Sequence, residues 1–347
     1  MASSTNNGEG VKHQNPAPAP PRQISSIAVI DGSAVDSILS FPSLIHHLRS
    51  TLPSLSPSIH TPHRHIHPII HNTIPNSDSA LLLMPSFSSS PLLPYLGIKL
   101  LTSFPHSSPS IKASYLLLHS LTGQTLALID GTALTLWRTA ALSALASSFL
   151  SDPDPQTLTM LGAGSLAPFL IRAHLSARPS INKVIIWNRT PQKAQTLVHD
   201  LEPAVGSVKL EVARGLEEAV RAGDLVSCAT GSEVPMVRGE MLLRIGGPGV
   251  HLDLVGSFRP TMRECDEEVI ERGRVFVDCE AAFEEAGEIV GMREKGIKVG
   301  LLVDLLKGLE RGRMKREELT VFKSVGSGLV DLLSAQMVYE TYIQGNV

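Results

Sequence analysis

The chain has 347 residues, of which 43% are hydrophobic and 18% are charged, and its formal net charge is −3 at pH 7. This composition excludes wholesale disorder and predicts about two folded domains of roughly 150 residues each. Charges of both signs are interspersed and no uninterrupted apolar run reaches ~18 residues, which disfavours nucleic-acid binding and a membrane-spanning helix.

The N-terminal segment, residues 1–23, is polar and rich in proline and alanine, and it lacks the apolar core of a secretory signal. Two interpretations stay open, a disordered tail or a plastid transit segment. Serine and asparagine favour the transit segment, while Glu9 and the shortage of arginine disfavour it. Three widely separated cysteines without a CxxC pair favour a reducing compartment. From the transit interpretation of the tail we expect a plastid location, with the cytoplasm as the alternative.

Residues 24–132 consist of short apolar runs between proline and serine clusters, a pattern typical of strands. Gly123 supplies the positive φ of a hairpin turn, and residues 39–52 predict a helix whose start is blurred by Pro42. The region therefore predicts a mainly antiparallel sheet with one or two helices. The predicted strands cover residues 26–30, 63–70, 80–84, 97–103, 113–119 and 125–129.

One of these runs, HTPHRHIHPIIH at residues 60–71, is rich in histidine. In a strand, His63, His65 and His67 share one face and Arg64 points to the other, because side chains alternate. A His-x-His pair can bind zinc, but no cysteine, aspartate or glutamate nearby supplies the remaining ligands. We therefore predict no metal site and interpret the run as the strand that carries Arg64.

The pattern changes from about residue 132. Residues 135–150 (TLWRTAALSALASSFL) have helical spacing, and the sequence DPDP ends that helix. Strand-like and helix-like runs then alternate over residues 157–278, which predicts a doubly wound parallel sheet. A different pattern returns near residue 320, with a helix predicted at residues 327–342.

The clearest chemical motif is TLTMLGAGSLAPF, in which a short apolar strand runs into Gly162-x-Gly164-x-x-Ala167 and a helix. The first glycine permits a tight turn, the second lets a pyrophosphate approach the backbone, and the small third residue lets helix and strand pack closely. A purely structural glycine turn is the alternative. The motif predicts dinucleotide binding by the backbone of Gly162, Ala163, Gly164, Ser165 and Leu166.

The end of the next strand indicates which dinucleotide is bound. Where NAD enzymes carry an acidic residue, this chain has Asn188, Arg189 and Thr190. Arg189 is a cation where the 2′-phosphate of NADP would lie, and its neighbours can hydrogen-bond to that phosphate. We therefore predict NADPH as the cofactor, with NADH less favoured, unless Arg189 is merely a solvated residue after a strand.

Six segments in order resemble the ornithine cyclodeaminase/mu-crystallin family. The similarity runs from about residue 24 to 345. In chain order, the six segments are MPSF, LGIKLLTSFP, LIDGTALTLWRTAALSALAS, LGAGSLA, VGSFRPTMRE and FKSVGSGLVD. The resemblance implies an α/β fold in which a Rossmann-type domain with a doubly wound parallel sheet (residues 133–319) is inserted in a second α+β domain. That second domain (residues 24–132 plus 320–347) would bind substrate and form a homodimer.

The resemblance also implies that Arg64, Lys99 and Arg138 hold a substrate carboxylate, for which converging cations are well suited. Lys99 is the expected catalytic residue, because it could supply a proton. Each cation alone also fits a structural role. Asp331 could face the substrate, although helix capping near it is an equal alternative. Further cofactor contacts are expected at Arg138, Thr139, Thr230, Val255, Gly256 and Ser324.

One departure from the family pattern bears on the reaction. Ornithine cyclodeaminases carry an aspartate in V-G-G-D-x-P-x-x-x-E that acts on the substrate amine and water, and the matching residue here is Phe258. A phenyl ring cannot transfer a proton. The resemblance therefore favours the ketimine reductase branch and NADPH-dependent reduction of a cyclic ketimine carboxylate, with Δ1-piperideine-2-carboxylate giving pipecolate in lysine catabolism. The alternatives are an ornithine cyclodeaminase or linear imino acid dehydrogenase, and a non-catalytic, NADPH-bound crystallin-like or small-ligand-binding protein.

Overall fold

A computed structural model describes residues 26–70, 79–104, 107, 111–244 and 246–345. The predicted tail at residues 1–23 lies outside these ranges, and so does His71 at the end of the histidine-rich run. The plastid expectation, which rests on the tail, stays a prediction.

The first sheet contains seven strands in the described part of the chain, in the order β1-β7-β6-β5-β4-β2, with β3 also paired to β4. All of its pairs are antiparallel except β1 with β7. Gly123 has φ +69 in the turn between β6 and β7, as predicted. The strands are β1 (Ala28–Ile30), β2 (Ile59–His60), β3 (His65–Pro68), β4 (Ala80–Ser88), β5 (Tyr95–Ser103), β6 (Ile111–His119) and β7 (Thr125–Asp130).

Four helices pack around the inner face of this sheet: α1 (Gly32–Ile38), α2 (Phe41–Leu55), α3 (Gly131–Leu150) and α10 (Gly328–Ile343). The helix predicted at residues 39–52 is α2, and α1, which precedes it, was not predicted. The chain breaks between them because the Ser40 side chain caps α2, with a proline in the first turn.

The central helix α3 is buried on most sides, and the Asp130 carboxylate accepts hydrogen bonds from its first N–H groups. Among the described residues it is the one helix long and apolar enough to cross a membrane by length and composition. However, 72% of the tested window is buried inside the protein, as expected of a core helix. Its other face packs against the helix that follows the glycine motif.

The second sheet is parallel throughout, with eight described strands in the order β10-β9-β8-β11-β12-β15-β13-β14. The chain leaves β8 towards one edge and returns through β11 towards the other, so a crevice opens at their carboxyl ends. The doubly wound prediction is confirmed. The strands are β8 (Thr157–Leu161), β9 (Lys183–Trp187), β10 (Lys209–Val212), β11 (Leu225–Cys228), β12 (His251–Leu254), β13 (Arg274–Val277), β14 (Val299–Leu301) and β15 (Thr320–Lys323).

The connecting helices are α4 (Ala167–Ala177), α5 (Pro191–Leu201), α6 (Leu216–Ala222), α7 (Glu267–Arg272), α8 (Ala282–Glu285) and α9 (Leu302–Leu306). Strand β15 lies between β12 and β13, and all four of its residues are buried. The parallel sheet therefore continues past the predicted domain boundary at residue 320, because this apolar strand pairs on both edges. The division into two domains otherwise stays a prediction.

Candidate functional site

Strand β8 ends at a glycine-rich turn that leads into α4. Gly162 has φ +107, and a Cβ on it would lie 2.6 Å from the carbonyl oxygen of Ala229, which follows β11. A Cβ on Gly164 would meet no atom within 4 Å. The first glycine is thus required by the turn, and the second leaves the backbone open to a phosphate, so the turn fits a dinucleotide.

This turn forms one wall of a groove of about 320 Å³. Ser165 is exposed and does not line the groove, and Leu166 lines the neighbouring cavity instead. The predicted cofactor residues that do line the groove are Gly162, Ala163, Gly164, Asn188, Arg189, Thr190 and Thr230.

The charges along the groove are positive. Arg189 and Lys193 line it, and among the described lining residues there is no aspartate or glutamate. An added phosphate would therefore meet cations and no carboxylate. Sequence reasoning missed Lys193, although its place in the first turn of α5, next to the predicted phosphate site, was a usable signal.

Asn188 was predicted to hydrogen-bond to the 2′-phosphate, but its side chain is bonded to the backbone instead. Its Oδ1 accepts a hydrogen bond from the Ala163 N–H at 3.1 Å, and its Nδ2 donates to the Thr190 carbonyl oxygen at 2.9 Å. These bonds tie the end of β9 to the glycine turn. Asn188 therefore shapes the groove, and its amide is already engaged.

A larger cavity of about 570 Å³ lies between the two sheets. Its wall is mostly apolar, with Leu82 and Leu101 from the first sheet and Phe258 from the loop after β12. No aspartate or glutamate lines it in the described part of the chain. Six of the predicted site residues line this cavity: Lys99, Arg138, Thr139, Leu166, Val255 and Ser324.

Lys99 and Arg138 meet at a shared buried carboxylate. The Lys99 Nζ lies 2.6 Å from Asp331 Oδ2, and the Arg138 Nε lies 2.8 Å from Asp331 Oδ1. The Arg138 Nη1 is buried without a hydrogen-bond partner among the described residues. A buried donor without an acceptor is costly, so the cavity is suited to an anion at that atom.

The electrostatics of this cluster follow from burial and from neighbouring charges. Burial lowers the pKa of Lys99 to about 8, with Arg138 adding to the decrease and Asp331 opposing it. Burial alone would raise the pKa of Asp331, but Arg138 and Lys99 hold it below its ordinary value. The Asp331 carboxylate is therefore ionised at neutral pH, and Lys99 changes from protonated to neutral around pH 8.

Arg64 does not line the cavity with the other two cations, which corrects the predicted convergence of all three. It precedes β3, and its Nη2 lies 2.7 Å from Glu285 Oε2 and donates to the Gly326 carbonyl oxygen at 3.4 Å. Arg64 and Glu285 line a separate pocket of about 360 Å³ that shares Gly326 with the cavity. The helix α8 supplies this counter-charge, which sequence reasoning did not anticipate.

The neighbouring histidines are exposed at positions 63, 65 and 67, whereas Ile66 lines the cavity from the opposite face of β3. Within the described ranges no three His, Cys, Asp or Glu side chains are grouped so as to hold a metal ion.

The loop after β15 is held in place by Asp278. Its Oδ2 accepts hydrogen bonds from the Ser324 hydroxyl and from the Gly326 N–H, each at 2.8 Å. Gly326 has φ +85, and a Cβ there would lie 2.8 Å from Arg138 Nη2. The glycine thus lets the backbone touch the guanidinium, and Asp278 fixes the contact.

The chain is similar to known proteins over most of its length. The model of the ornithine cyclodeaminase/mu-crystallin family matches residues 60–346. Protein SAR DEFICIENT 4 of Arabidopsis thaliana is 50% identical over 325 residues, covering 90% of this chain and 97% of that protein. A Delta(1)-pyrroline-2-carboxylate reductase of Colwellia psychrerythraea is 35% identical over 323 residues, covering 90% of this chain and 98% of that protein.

The fold is similar to that of Delta(1)-pyrroline-2-carboxylate reductase from Thermococcus litoralis, solved in complex with NADH and L-proline. The TM-score is 0.83 at 25% sequence identity, and the match covers 92% of this chain and 99% of that one.

Proposed function

The chain belongs to the ornithine cyclodeaminase/mu-crystallin family, and we propose that it catalyses NADPH-dependent reduction of the C=N bond of a cyclic ketimine carboxylate. The observation that carries the proposal is the cavity, which joins the cations Lys99 and Arg138 to an apolar wall beside the nucleotide groove. Two relatives named as Delta(1)-pyrroline-2-carboxylate reductases support the same reaction type.

The apolar wall and the cations suit the two ends of such a substrate. The carboxylate would bind the unpartnered Arg138 Nη1 and the Lys99 ammonium, while the ring would pack against Leu82, Leu101 and Phe258. Phe258 occupies the position of the cyclodeaminase aspartate. With no carboxylate lining the described cavity, a substrate ammonium group has no counter-charge there, which disfavours ornithine.

The proposed reduction requires little beyond orientation, a proton and a dry site. When bound, a reduced nicotinamide supplies the hydride. Hydride adds to the imine carbon, the π electron pair moves to nitrogen, and the protonated nitrogen becomes a secondary amine. Lys99 is placed to keep that nitrogen protonated, and Arg138 holds the carboxylate. The apolar wall excludes water and strengthens both interactions.

The proposed preference for NADPH rests on Arg189 and Lys193 in the groove. The glycine turn would hold the pyrophosphate, and the two cations would hold a 2′-phosphate. The Thermococcus litoralis protein was solved with NADH, so the proposed preference for NADPH is supported by Arg189 and Lys193 alone and not by that similarity.

A direct assay tests the proposed reaction. The purified protein is mixed with NADPH and either Δ1-piperideine-2-carboxylate or Δ1-pyrroline-2-carboxylate, and the loss of absorbance of the reduced nicotinamide is followed. We expect oxidation with both rings and a higher kcat/KM for the six-membered ring, giving pipecolate. No oxidation with either ring would reject the proposal, and ammonia release from ornithine would restore the cyclodeaminase.

We also propose that the protein is a homodimer formed through the outer face of the first sheet. Val29, Leu128, Leu116 and Ile98 pair side by side across neighbouring strands and therefore share this face. Val29 is 67% exposed and Leu128 40% exposed. An apolar face of this kind is typical of a surface that a second copy covers.

A further inference from the structure

Two loops separate the nucleotide groove from the cavity, one after β11 and one after β12. Thr230 of the first loop lines the groove, and Val255 of the second lines the cavity. Both loops are hydrogen-bonded to a single side chain, Glu264. Its Oε1 accepts from the Thr230 N–H at 2.8 Å and from the Thr230 hydroxyl at 2.9 Å, and its Oε2 accepts from the Gly256 N–H at 2.7 Å.

The contact between the loops is tight and buried. A Cβ on Gly256 would lie 2.4 Å from Glu264 Oε1 and 2.5 Å from the Thr230 backbone nitrogen. Glu264 has no exposed surface. Water therefore cannot replace the carboxylate as an acceptor, and the distance between the loops depends on this one group.

A buried lysine compensates the charge of Glu264. The Lys323 Nζ, at the end of β15, lies 3.9 Å from Glu264 Oε2 and 3.2 Å from Glu288 Oε1. It also donates a hydrogen bond to the hydroxyl of Ser257. Burial raises the pKa of Glu264, and Lys323 opposes that increase. The three buried charges thus form one cluster behind the two loops.

We propose that Glu264 is a positioning residue that sets the separation of these loops, and with it the path of the nicotinamide half of the dinucleotide from groove to cavity. This inference rests on the proposed function. The dinucleotide of an open parallel sheet crosses the crevice at its switch point, which here lies between the ends of β8 and β11. The Glu264 carboxylate makes no hydrogen bond to the glycine turn or to the end of β9, so its loss should weaken binding of the adenosine half much less than binding of the nicotinamide half.

The test compares binding of the whole dinucleotide with binding of its adenosine half. Glu264→Gln keeps the shape of the side chain but turns one acceptor into a donor facing an N–H group. Calorimetry would give the Kd of NADPH and of 2′-phospho-ADP-ribose, which lacks the nicotinamide. We expect NADPH to bind about tenfold more weakly and the truncated ligand to bind within about twofold of wild type.

A purely structural role would give a different result. Equal losses for the two ligands, or no loss for either, would overturn the inference. A second variant, Gly256→Ala, pushes the same loops apart without changing any charge, and we expect the same selective loss of NADPH affinity. It keeps the test decisive if Glu264→Gln fails to fold.

Glu288→Gln is the matched control, because Glu288 contacts Lys323 and Ser257 but not the two loop N–H groups. We expect both ligands to retain their affinity within about twofold in this variant. If Glu288→Gln lost NADPH affinity selectively, the effect would belong to the whole cluster, and the assignment to Glu264 would be overturned.

These outcomes are separate from those of the ketimine assay. A wild-type protein that binds NADPH but reduces no ketimine would remove the proposed reaction and leave the inference about Glu264 testable. A wild-type protein that binds neither ligand would overturn both.

Discussion

The buried charges around Asp331 do not balance, since two cations share one carboxylate. Lys99 and Arg138 bring two positive charges and Asp331 brings one negative charge, all of them buried. A net charge in a dry site is unfavourable unless an opposite charge joins it. A substrate carboxylate would complete the balance, so the site favours a monoanion over a neutral ligand.

The pH dependence of the reaction tests the role of Lys99. The pKa of Lys99 is about 8, and only the protonated amine can donate. The protonated fraction falls as pH rises, so kcat/KM should be level below that pKa and decrease by about tenfold per pH unit above it. In Asp331→Asn we expect this limb to move to lower pH by roughly one unit or more, because Lys99 loses the carboxylate that raises its pKa.

Asp253→Asn is the control for that experiment, since Asp253 is equally buried but pairs with His174 elsewhere in the sheet. It should leave the limb in place. An unmoved limb in Asp331→Asn would show that Asp331 does not set the protonation of Lys99.

Arg189 should decide the choice between the two dinucleotides. Arg189→Ala should raise the KM for NADPH by roughly tenfold or more, the size expected for a lost charge-assisted hydrogen bond, and change the KM for NADH little. Steady-state kinetics with both cofactors provide the measurement. Equal effects on both would remove the assignment of Arg189 to the 2′-phosphate.

At the scale of elements, β3 presents two different surfaces. Ile66 faces the cavity, while the histidines beside it face solvent. Arg64 emerges just before the strand and reaches Glu285 of α8 and the backbone of Gly326. The element therefore connects the first sheet to the loop under Arg138, and its histidines have no part in that connection.

Two variants of this element separate its surfaces. Replacing His63, His65 and His67 together by alanine should leave kcat and KM within about twofold, and a chelator should have no effect. Arg64→Ala should raise the substrate KM by about tenfold, because the hydrogen bond from Arg64 to the Gly326 carbonyl oxygen holds the loop that contacts Arg138. If the histidine variant lost activity while Arg64→Ala kept it, a metal site would have to be reconsidered.

The local sequence pattern predicted several strands well, but it did not predict contacts between residues that are far apart in the chain. The bounds of β8 and β9 are as predicted, because short apolar runs bounded by glycine, proline and asparagine leave little choice. The place of β15 was not predictable, since a four-residue apolar strand fits either sheet. The ion pairs of Arg64 with Glu285 and of Lys99 with Asp331 join distant parts of the chain, and no periodicity reports such contacts.

At the scale of the whole molecule, the first sheet has one face against helices and one apolar face exposed. The exposed face includes Phe87 and Leu100, 40% and 37% exposed, in addition to Val29 and Leu128. Covering it would remove a large apolar area from water, which is the main driving force for association. A stable monomer would be unexpected with this surface.

A charged residue on that apolar face should dissociate the proposed dimer. Leu128→Asp should convert a dimer into a monomer at micromolar concentration, because burying an unpaired carboxylate in the interface is costly. Sedimentation velocity would measure the change. Leu121→Asp is the control, since Leu121 is 85% exposed at the tip of the β6–β7 turn and away from the face. A wild-type monomer would refute the proposed interface.

The position of Asp331 also bears on the order in which the protein becomes functional during synthesis. Lys99 and Arg138 are synthesised before Asp331, the residue that compensates both, which lies in α10. Because the chain emerges from the ribosome in sequence order, the two cations remain without their buried partner until α10 has been synthesised. Formation of α10 therefore completes the charge balance of the substrate cavity, because it brings Asp331 to Lys99 and Arg138.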